Sequence, residues 1–220
     1  MRHELRTYAH ADDVATAAAD YVAQLARGAI AEKGRFSFAV SGGRTPWTMF
    51  ERLATMDVAW SDVTIYQVDE RIAPVGDATR NLTALENSLG QCRPTIHAMP
   101  VNDDDVEAAA ASYARRLPQH FDLVHLGLGP DGHTASLIPG DPVLEVHDRL
   151  VAVTGIYQGE QRMTLTYQAL TRAKQLLWLV TGPDKRTALA ALLDGATSIP
   201  AGSVEAPSSL VMADESALSS

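Results

Sequence analysis

The sequence contains a single cysteine and no long apolar run, and each shortage excludes a class of protein. Cys92 alone cannot form a disulfide within the chain, and no Cys pair or Cys/His cluster indicates a zinc site. The longest strongly apolar run, residues 176–180, is far shorter than a membrane-spanning helix. The first residues contain no apolar segment typical of a signal peptide. We therefore expect neither a disulfide-bonded secreted protein nor a membrane protein, and the lone cysteine fits a reducing cytoplasm.

Positive charge is also in short supply. The chain has 18 Lys and Arg residues against 27 Asp and Glu residues, which gives a formal net charge of −9. Proteins that bind nucleic acids normally carry the opposite balance, so a nucleic-acid partner is not expected. If the ligand is an anion, its site must be locally positive against the field of the whole chain.

The residues that are plentiful favour one sizeable α/β domain. The chain has 220 residues, 46% of them hydrophobic, and its many alanines favour helices over an all-β fold. Predicted strands and helices alternate along most of the chain, which is typical of a mainly parallel sheet with helices on both faces. Asp12 is placed to cap the first helix and Gly34 to end it. The predicted helices span residues 12–33, 46–54, 81–89, 103–117 and 183–193, and the predicted strands span 35–40, 64–69, 121–128, 149–154, 163–167, 175–181 and 208–214.

Three polar motifs begin where predicted strands end. SGGRTP follows RFSFAV, DER follows TIYQV, and GPDGHTAS follows FDLVHLGL. Ligands of parallel α/β folds collect at the carboxyl ends of the strands. The coincidence of three motifs therefore predicts one shared site.

The first motif, SGGRTP, has the features of a phosphate-binding turn. Gly42 and Gly43 let the backbone approach a ligand closely, and Thr45 can cap a helix that begins at Pro46. The free N–H groups at a helix N-terminus suit a phosphate, and Arg44 could add a bidentate contact. The alternative is a tight strand-to-helix turn with a solvated arginine. The motif is neither the dinucleotide fingerprint nor a P-loop.

The second motif, DER, places an acid and a base on one face of an extended segment. Asp69 and Arg71 are alternate residues and point the same way, whereas Glu70 points elsewhere. Asp69 could orient a substrate or exchange a proton, and Arg71 could hold an anion or oxyanion. The alternative is a surface ion pair, which contributes little to stability.

The third motif, GPDGHTAS, is the most informative. His133 carries a side chain that takes or gives a proton near neutral pH, and Asp131 on the same loop could orient the imidazole or hold a water. The alternative is a capped turn with a histidine exposed by chance. His125, inside a predicted strand, is expected to be a buried histidine with its hydrogen bonds satisfied rather than a ligand.

Two further cations follow in the chain. Arg162 opens the strand RMTLTY, and Lys185 lies at the start of a predicted helix, where the helix dipole does not favour a cation. A bound anion would explain that placement, and an ordinary exposed lysine is the alternative.

These motifs, with RMTLT and TGPDKR after them in that order, resemble those of the 6-phosphogluconolactonase family. The resemblance extends over residues 12–212. It implies a Rossmann-like α/β fold related to that of glucosamine-6-phosphate deaminase, formed as a single domain over residues 1–220. The family's first motif usually reads SGGSTP, so Arg44 here replaces a small residue.

The resemblance also implies a reaction. This is hydrolysis of 6-phospho-D-glucono-1,5-lactone to 6-phospho-D-gluconate, in the pentose phosphate pathway, in the cytoplasm, with no metal, no cofactor and no obligatory protein partner. His133 would be the general base and then the acid, Asp131 would orient His133 or the sugar, and Asp69 and Arg71 would line the sugar and lactone end. The phosphate would be held by Gly42, Gly43, Arg44, Thr45, Arg162 and Lys185.

Two other functions remain open on the sequence. A deaminase-like isomerase has a loop similar to DGHIAFNEP, with a Glu five residues after the His, and Ile138 stands at that position here. A deaminase also usually has DEY in place of DER. A non-catalytic sugar-phosphate sensor usually carries a DNA-binding segment before the sensor domain, and the first predicted helix begins at about residue 12.

Overall fold

Two sheets organise the part of the chain that the computed structural model describes, residues 3–218. The strands are β1 Glu4–Tyr8, β2 Phe36–Val40, β3 Val63–Gln67, β4 Asp69–Arg71, β5 Thr95–His97, β6 Leu123–Gly127, β7 Val151–Tyr157, β8 Glu160–Leu165, β9 Gln175–Val180 and β10 Ser208–Asp214. The helices are α1 Ala11–Lys33, α2 Arg44–Leu53, α3 Asn81–Leu89, α4 Val106–Ala114, α5 Tyr167–Leu170, α6 Arg186–Leu193 and α7 Glu215–Leu218.

The larger sheet has seven strands in the order β1-β10-β9-β6-β2-β3-β5, and every pairing in it is parallel. The smaller sheet has three antiparallel strands in the order β4-β8-β7. Because all strands of the larger sheet point the same way, the loops that follow β2, β3, β6 and β9 open at one edge.

Alternate side chains of the larger sheet pack into two separate cores. Phe36, Phe38 and Val40 of β2 lie on the face covered by α1, α2 and α3. Ala39 of the same strand faces the other core, which contains α4 to α7 and the antiparallel sheet. Because successive side chains of a strand point to opposite faces, β2 contributes to both cores and both of its faces are covered. The predicted mainly parallel sheet with helices on both faces is confirmed.

The start of two helices differs from the prediction. The N-cap of α1 is His10 rather than Asp12. Helix α2 begins at Arg44, two residues before the predicted start, and its N-cap is Gly43 at φ 139°. Glycine adopts such a φ without steric cost, whereas a threonine at this position would be strained. Thr45 lies within the first turn and does not cap it.

Several strands differ from those that the sequence predicts. The edge strands β1 and β5 were not predicted, and the predicted strand 64–69 is divided between β3 and β4, which belong to different sheets. Helix α3 and strand β10 match their predicted bounds, and Gly34 ends α1 in the left-handed region at φ 72°. The predicted helix 183–193 begins with a single 3₁₀ turn, Pro183–Lys185. No helix in residues 3–218 has the length and apolar character needed to cross a bilayer.

A cluster of charges joins the amino ends of β2, β6 and β9. Asp122, which precedes β6, accepts hydrogen bonds from the Ser37 backbone N–H and hydroxyl, both at 2.9 Å. Its other oxygen accepts from Lys174 at 3.1 Å and pairs with Lys33 at the end of α1. Burial raises the pKa of Asp122, but these donors outweigh burial and the pKa lies below its ordinary value.

We expect Asp122→Ala to lower the free energy of unfolding by about 1–3 kcal/mol at pH 7, because the donors around it lose their acceptor. The folded-state pKa lies below the unfolded value of about 3.9, so the carboxylate's contribution is complete above that value and is lost as the pH falls through the folded pKa. In urea unfolding, the difference in free energy of unfolding between wild type and variant should therefore become smaller below about pH 4.

Asp103→Asn is the matched control, because Asp103 is an exposed acid outside this cluster. Its effect should stay within about 0.5 kcal/mol at every pH. If the difference in free energy of unfolding between wild type and Asp122→Ala stays constant down to pH 3, the Asp122 carboxylate does not have this stabilising role.

Candidate active site

The three motifs meet at one cavity of about 600 Å³. It opens at the carboxyl edge of the larger sheet and is bounded on one side by the antiparallel sheet. Nine of the ten predicted site residues line it; the exception, Asp131, lies behind His133 and contacts it. The nine are Gly42, Gly43, Arg44, Thr45, Asp69, Arg71, His133, Arg162 and Lys185.

The turn between β2 and α2 forms one wall of the cavity. The amino end of α2 lies there, with Arg44 as its first residue. The Thr45 hydroxyl lies 2.8 Å from the Thr181 hydroxyl, which joins this wall to the loop after β9. A Cβ at Gly42 would lie 2.1 Å from the Asn81 Oδ1, so only glycine fits against that side chain. The wall is thus a helix N-terminus with closely approaching backbone, which suits an anion.

The His133 ring is held by its neighbour in sequence. His133 Nδ1 lies 2.6 Å from Asp131 Oδ1, and the same oxygen accepts the His133 backbone N–H at 3.2 Å. A carboxylate accepts hydrogen bonds, so in the neutral ring the proton is on Nδ1 and Nε2 keeps its lone pair. A Cβ at Gly129 would lie 2.1 Å from His133 Nδ1, so the third motif needs glycine there. The arrangement is that of a base oriented by an acid.

Asp131 is ionised in this arrangement. Burial raises its pKa, but hydrogen bonds from the backbone and ring of His133 and from the Tyr157 hydroxyl outweigh burial, and the pKa lies below its ordinary value. The negative charge of Asp131 is therefore present at neutral pH, next to the His133 ring.

Asp69 is the most deeply buried acid at the cavity. Its side chain accepts a hydrogen bond from the Ser136 hydroxyl at 2.8 Å, which ties the third motif to β4. Burial raises the pKa of Asp69, although Ser136 and the charges of Arg71 and Arg162 act in the opposite direction. Asp69 is therefore part of a compact acid–base cluster rather than of a surface ion pair.

Two arginines face each other across the antiparallel sheet. Arg71 of β4 pairs in register with Arg162 of β8. Arg71 donates to the Thr79 carbonyl at 2.9 Å and to the Asn81 Oδ1 at 2.7 Å. Among the described residues, none forms an ion pair with Arg162, whose pKa is lowered by burial and by the charge of Arg71. Directly opposed like charges are unfavourable in a sheet, so this pair favours an anion in the cavity.

Lys185 lies across the cavity, in the 3₁₀ turn before α6. Its Nζ is 3.0 Å from the Asp184 carboxylate, and its side chain is 22% exposed. The lysine is therefore neither fully solvated nor buried. It lies where a third cation can reach a ligand held by the α2 N-terminus.

The structure adds residues that the sequence did not single out. Glu70 is fully buried and accepts hydrogen bonds from the backbone N–H groups of Asn81 and Leu82, both at 2.8 Å, at the first turn of α3. It also lies 3.4 Å from the Arg80 guanidinium. Asn81 thereby comes to the cavity, where its amide donates to the Asp69 carbonyl at 3.0 Å. No pattern in the sequence joins residues 70 and 81.

His125 is only partly as predicted. It is fully buried, its Nδ1 accepts the Ser41 N–H at 3.3 Å, and burial lowers its pKa to about 3. Its Nε2, however, has no hydrogen-bond partner in residues 3–218, so the expectation of a fully satisfied histidine is wrong. Within the same residues no group of three or more His, Cys, Asp and Glu side chains could hold a metal ion.

Comparison with known proteins matches the chain to one family. The family described as "Glucosamine-6-phosphate isomerases/6-phosphogluconolactonase" matches residues 9–218. A 6-phosphogluconolactonase of Synechocystis sp. is 37% identical over 175 residues, which cover 73% of this chain and 72% of that protein.

Solved structures share the fold over nearly the whole chain. A crystal structure of a 6-phosphogluconolactonase from Shewanella baltica has a TM-score of 0.88 at 25% identity and covers 97% of this chain and 98% of its own. A monomeric glucosamine-6-phosphate deaminase has a TM-score of 0.86 at 19% identity, covering 97% of this chain and 98% of its own. The expected relation to the deaminase fold is confirmed.

We expect Glu70→Gln to destabilise the protein by about 3–5 kcal/mol, because it removes the charge of a buried ion pair with Arg80 and weakens the acceptor for α3. Urea unfolding measures the change. Glu86→Gln is the matched control, since Glu86 is an exposed glutamate of α3. Its free energy of unfolding should stay within about 0.5 kcal/mol of that of wild type. If both substitutions change the free energy of unfolding equally, Glu70 does not anchor α3.

Proposed function

The chain belongs to the glucosamine-6-phosphate isomerase/6-phosphogluconolactonase family, and we propose that it hydrolyses 6-phospho-D-glucono-1,5-lactone to 6-phospho-D-gluconate. The observation that carries this proposal is the 2.6 Å contact between His133 Nδ1 and Asp131, which leaves Nε2 free as a base. It lies beside a cavity lined by Arg71, Arg162 and Lys185. A base next to a cluster of cations suits hydrolysis of a phosphorylated ester.

The proposed reaction needs one base and one water. Water gives a proton to His133 Nε2 while its oxygen attacks C1 of the lactone, forming a tetrahedral oxyanion. The oxyanion then collapses, the bond from C1 to the ring oxygen breaks, and that oxygen takes the proton back from the imidazolium. Asp131 stabilises the imidazolium between the two steps.

No covalent intermediate is part of the proposal. The Ser136 hydroxyl is committed to Asp69, and the sequence around Ser41 and Ser136 lacks the elbow motif of serine hydrolases. A lactone is an activated ester, so a positioned water is a sufficient nucleophile. The same chemistry requires no metal, and we propose that the reaction is metal-independent.

The phosphate dianion is proposed to lie between the α2 N-terminus and the cations. Gly42, Gly43, Arg44 and Thr45 supply backbone N–H groups and a hydroxyl, and Arg162 and Lys185 supply charge. Asp69 and Arg71 would then meet the sugar and the lactone carbonyl. Binding the remote phosphate holds C1 in place next to the base, so this binding energy serves the reaction.

The deaminase alternative has no support from the site. Where a deaminase loop carries Glu, this chain has Ile138, which is 6% exposed. An apolar side chain there cannot exchange a proton. We propose further that residues 1–220 work as one catalytic domain in the cytoplasm, without an obligatory protein partner.

We expect His133→Ala to lower kcat about 10²–10⁴-fold with a much smaller change in KM, because the variant lacks the base but keeps the cations. The assay generates the lactone in situ from glucose 6-phosphate, subtracts spontaneous hydrolysis and includes a metal chelator. Wild-type turnover should be insensitive to the chelator.

His147→Ala is the control, because its side chain is 73% exposed and outside the cavity. It should behave as wild type. Near-wild-type turnover by His133→Ala would refute the general-base role, and no wild-type rate above background would refute the lactonase proposal itself.

We expect Arg162→Ala and Lys185→Ala each to raise KM about 10- to 100-fold, since each removes a charged contact to the phosphate. Steady-state kinetics on the same substrate measures this. Arg115→Ala, at an exposed arginine after α4, should leave KM unchanged. An unchanged KM in both cavity variants would refute the proposal that Arg162 and Lys185 bind the phosphate.

A further inference from the structure

Within residues 3–218, Tyr157 contacts the base, its acid and a cavity cation together. Its hydroxyl donates to Asp131 Oδ2 at 3.2 Å. Its ring meets the His133 ring edge-on, with centroids 5.6 Å apart at 69°. The Arg162 guanidinium lies over its face, 5.2 Å from the centroid. None of the three motifs in the sequence includes it.

The Tyr157 hydroxyl completes the coordination of Asp131. Asp131 Oδ1 accepts both hydrogen bonds from His133, whereas Oδ2 accepts only from Tyr157 within residues 3–218. A carboxylate held at one oxygen can rotate about its Cβ–Cγ bond, and a donor on the second oxygen opposes that rotation. The orientation of His133 therefore depends on Tyr157 through Asp131.

A β-bulge turns Tyr157 toward His133 and Arg162. Val153 of β7 lies opposite Met163, but Ile156 lies opposite Gln161, so β7 has one residue more than β8 between these pairs. Val153 and Met163 belong to the core, and regular alternation would place Tyr157, four residues later, on that same face. The extra residue reverses the alternation.

The pairing beyond the bulge confirms the reversal. Tyr157 lies opposite Glu160, and directly opposed residues of an antiparallel pair share a face. Glu160 and Arg162 are alternate residues of β8 and share that face as well. The bulge therefore brings the tyrosine ring over the Arg162 guanidinium instead of onto the face of Val153 and Met163.

Specific contacts hold the bulge in place. The Gly155 N–H donates to Asp141 Oδ2 at 2.9 Å, and the Arg162 N–H donates to the Thr154 hydroxyl at 3.2 Å. A Cβ at Gly155 would lie 3.0 Å from the Asp141 carboxylate. The strand ends immediately afterwards in a two-residue turn with positive φ at Gln158 and Gly159, a geometry that favours tight hairpins. Tyr157 is thus fixed on both sides.

We propose that Tyr157 is a positioning residue that orients the Asp131–His133 pair and covers Arg162. The inference rests on the proposed lactonase function and extends it to a residue outside the three motifs. The hydroxyl is a permanent donor, because burial and the Asp131 carboxylate raise the pKa of Tyr157 above its ordinary value. Within residues 3–218, the charged or ionisable groups that face the tyrosine and Asp131 are His133, Arg162 and Glu160, which lies opposite Tyr157 in β8.

Tyr157→Phe is the sharpest test, because it keeps the ring and removes only the hydroxyl. We expect kcat to fall about 10-fold with KM within about twofold of wild type, as for loss of one hydrogen bond to a charged group. The acid limb of the kcat/KM profile should move to higher pH, because an uncompensated Asp131 charge makes the pair hold its proton more tightly. Tyr157→Ala should in addition raise KM, since the Arg162 guanidinium loses its contact with the tyrosine ring.

Ile156→Ala is the matched control on the same hairpin, since Ile156 is 79% exposed. It should leave kcat, KM and the pH profile as in wild type. Equal losses in Ile156→Ala and Tyr157→Phe, or a Tyr157→Phe enzyme with wild-type kcat and pH profile, would overturn the inference.

A second measurement separates this inference from the lactonase proposal. NMR of ¹⁵N-labelled histidine in the substrate-free protein reports which nitrogen of His133 carries the proton. We expect an Nδ1-protonated ring in wild type and a mixture of tautomers in Tyr157→Phe, whether or not the protein hydrolyses the lactone. Identical tautomers in both proteins would overturn the inference, whereas an inactive wild type with this difference would overturn only the proposed reaction.

Discussion

The buried carboxylate of Glu70 is the contact on which the geometry of the cavity depends. It lies between the end of β3 and the start of α3, and its oxygens accept hydrogen bonds from the Gln67 amide and from the backbone of Arg71, Asn81 and Leu82. A buried charge without partners is costly, so these donors and Arg80 must stay in place. Glu70 therefore holds β4 in position, and β4 carries Asp69 and Arg71 of the site.

The cavity reverses the sign of the chain's charge locally. The whole chain carries a formal charge of −9, yet two opposed arginines and a lysine line one cavity. Asp69 lies among them, and burial raises its pKa while Ser136 and the two arginines act in the opposite direction. The acidic surface elsewhere keeps general polyanions away, while a small anion can still reach the cations.

The sequence predicted the parallel sheet and the cavity, and it failed where contacts are remote. Residues that follow strands, such as Gly42 and His133, could be assigned because strand ends of a parallel sheet meet at one edge. Asn81 and Tyr157 could not, because a buried acid eleven residues away in sequence holds the first and a bulge turns the second. The predicted strand 64–69 included only Asp69 of β4 and left Glu70 and Arg71 in a loop, since a strand of three residues has no periodicity of its own.

The Asp122 cluster and the cavity lie at opposite edges of the same sheet. Its strands of five residues span roughly 17 Å. Sites more than about 10 Å apart that share no partners usually behave independently, so a charge altered at the amino edge has little effect on the base at the carboxyl edge. Natural variation can adjust the tolerance of this protein to heat or acid at one edge while selection on turnover acts separately at the other.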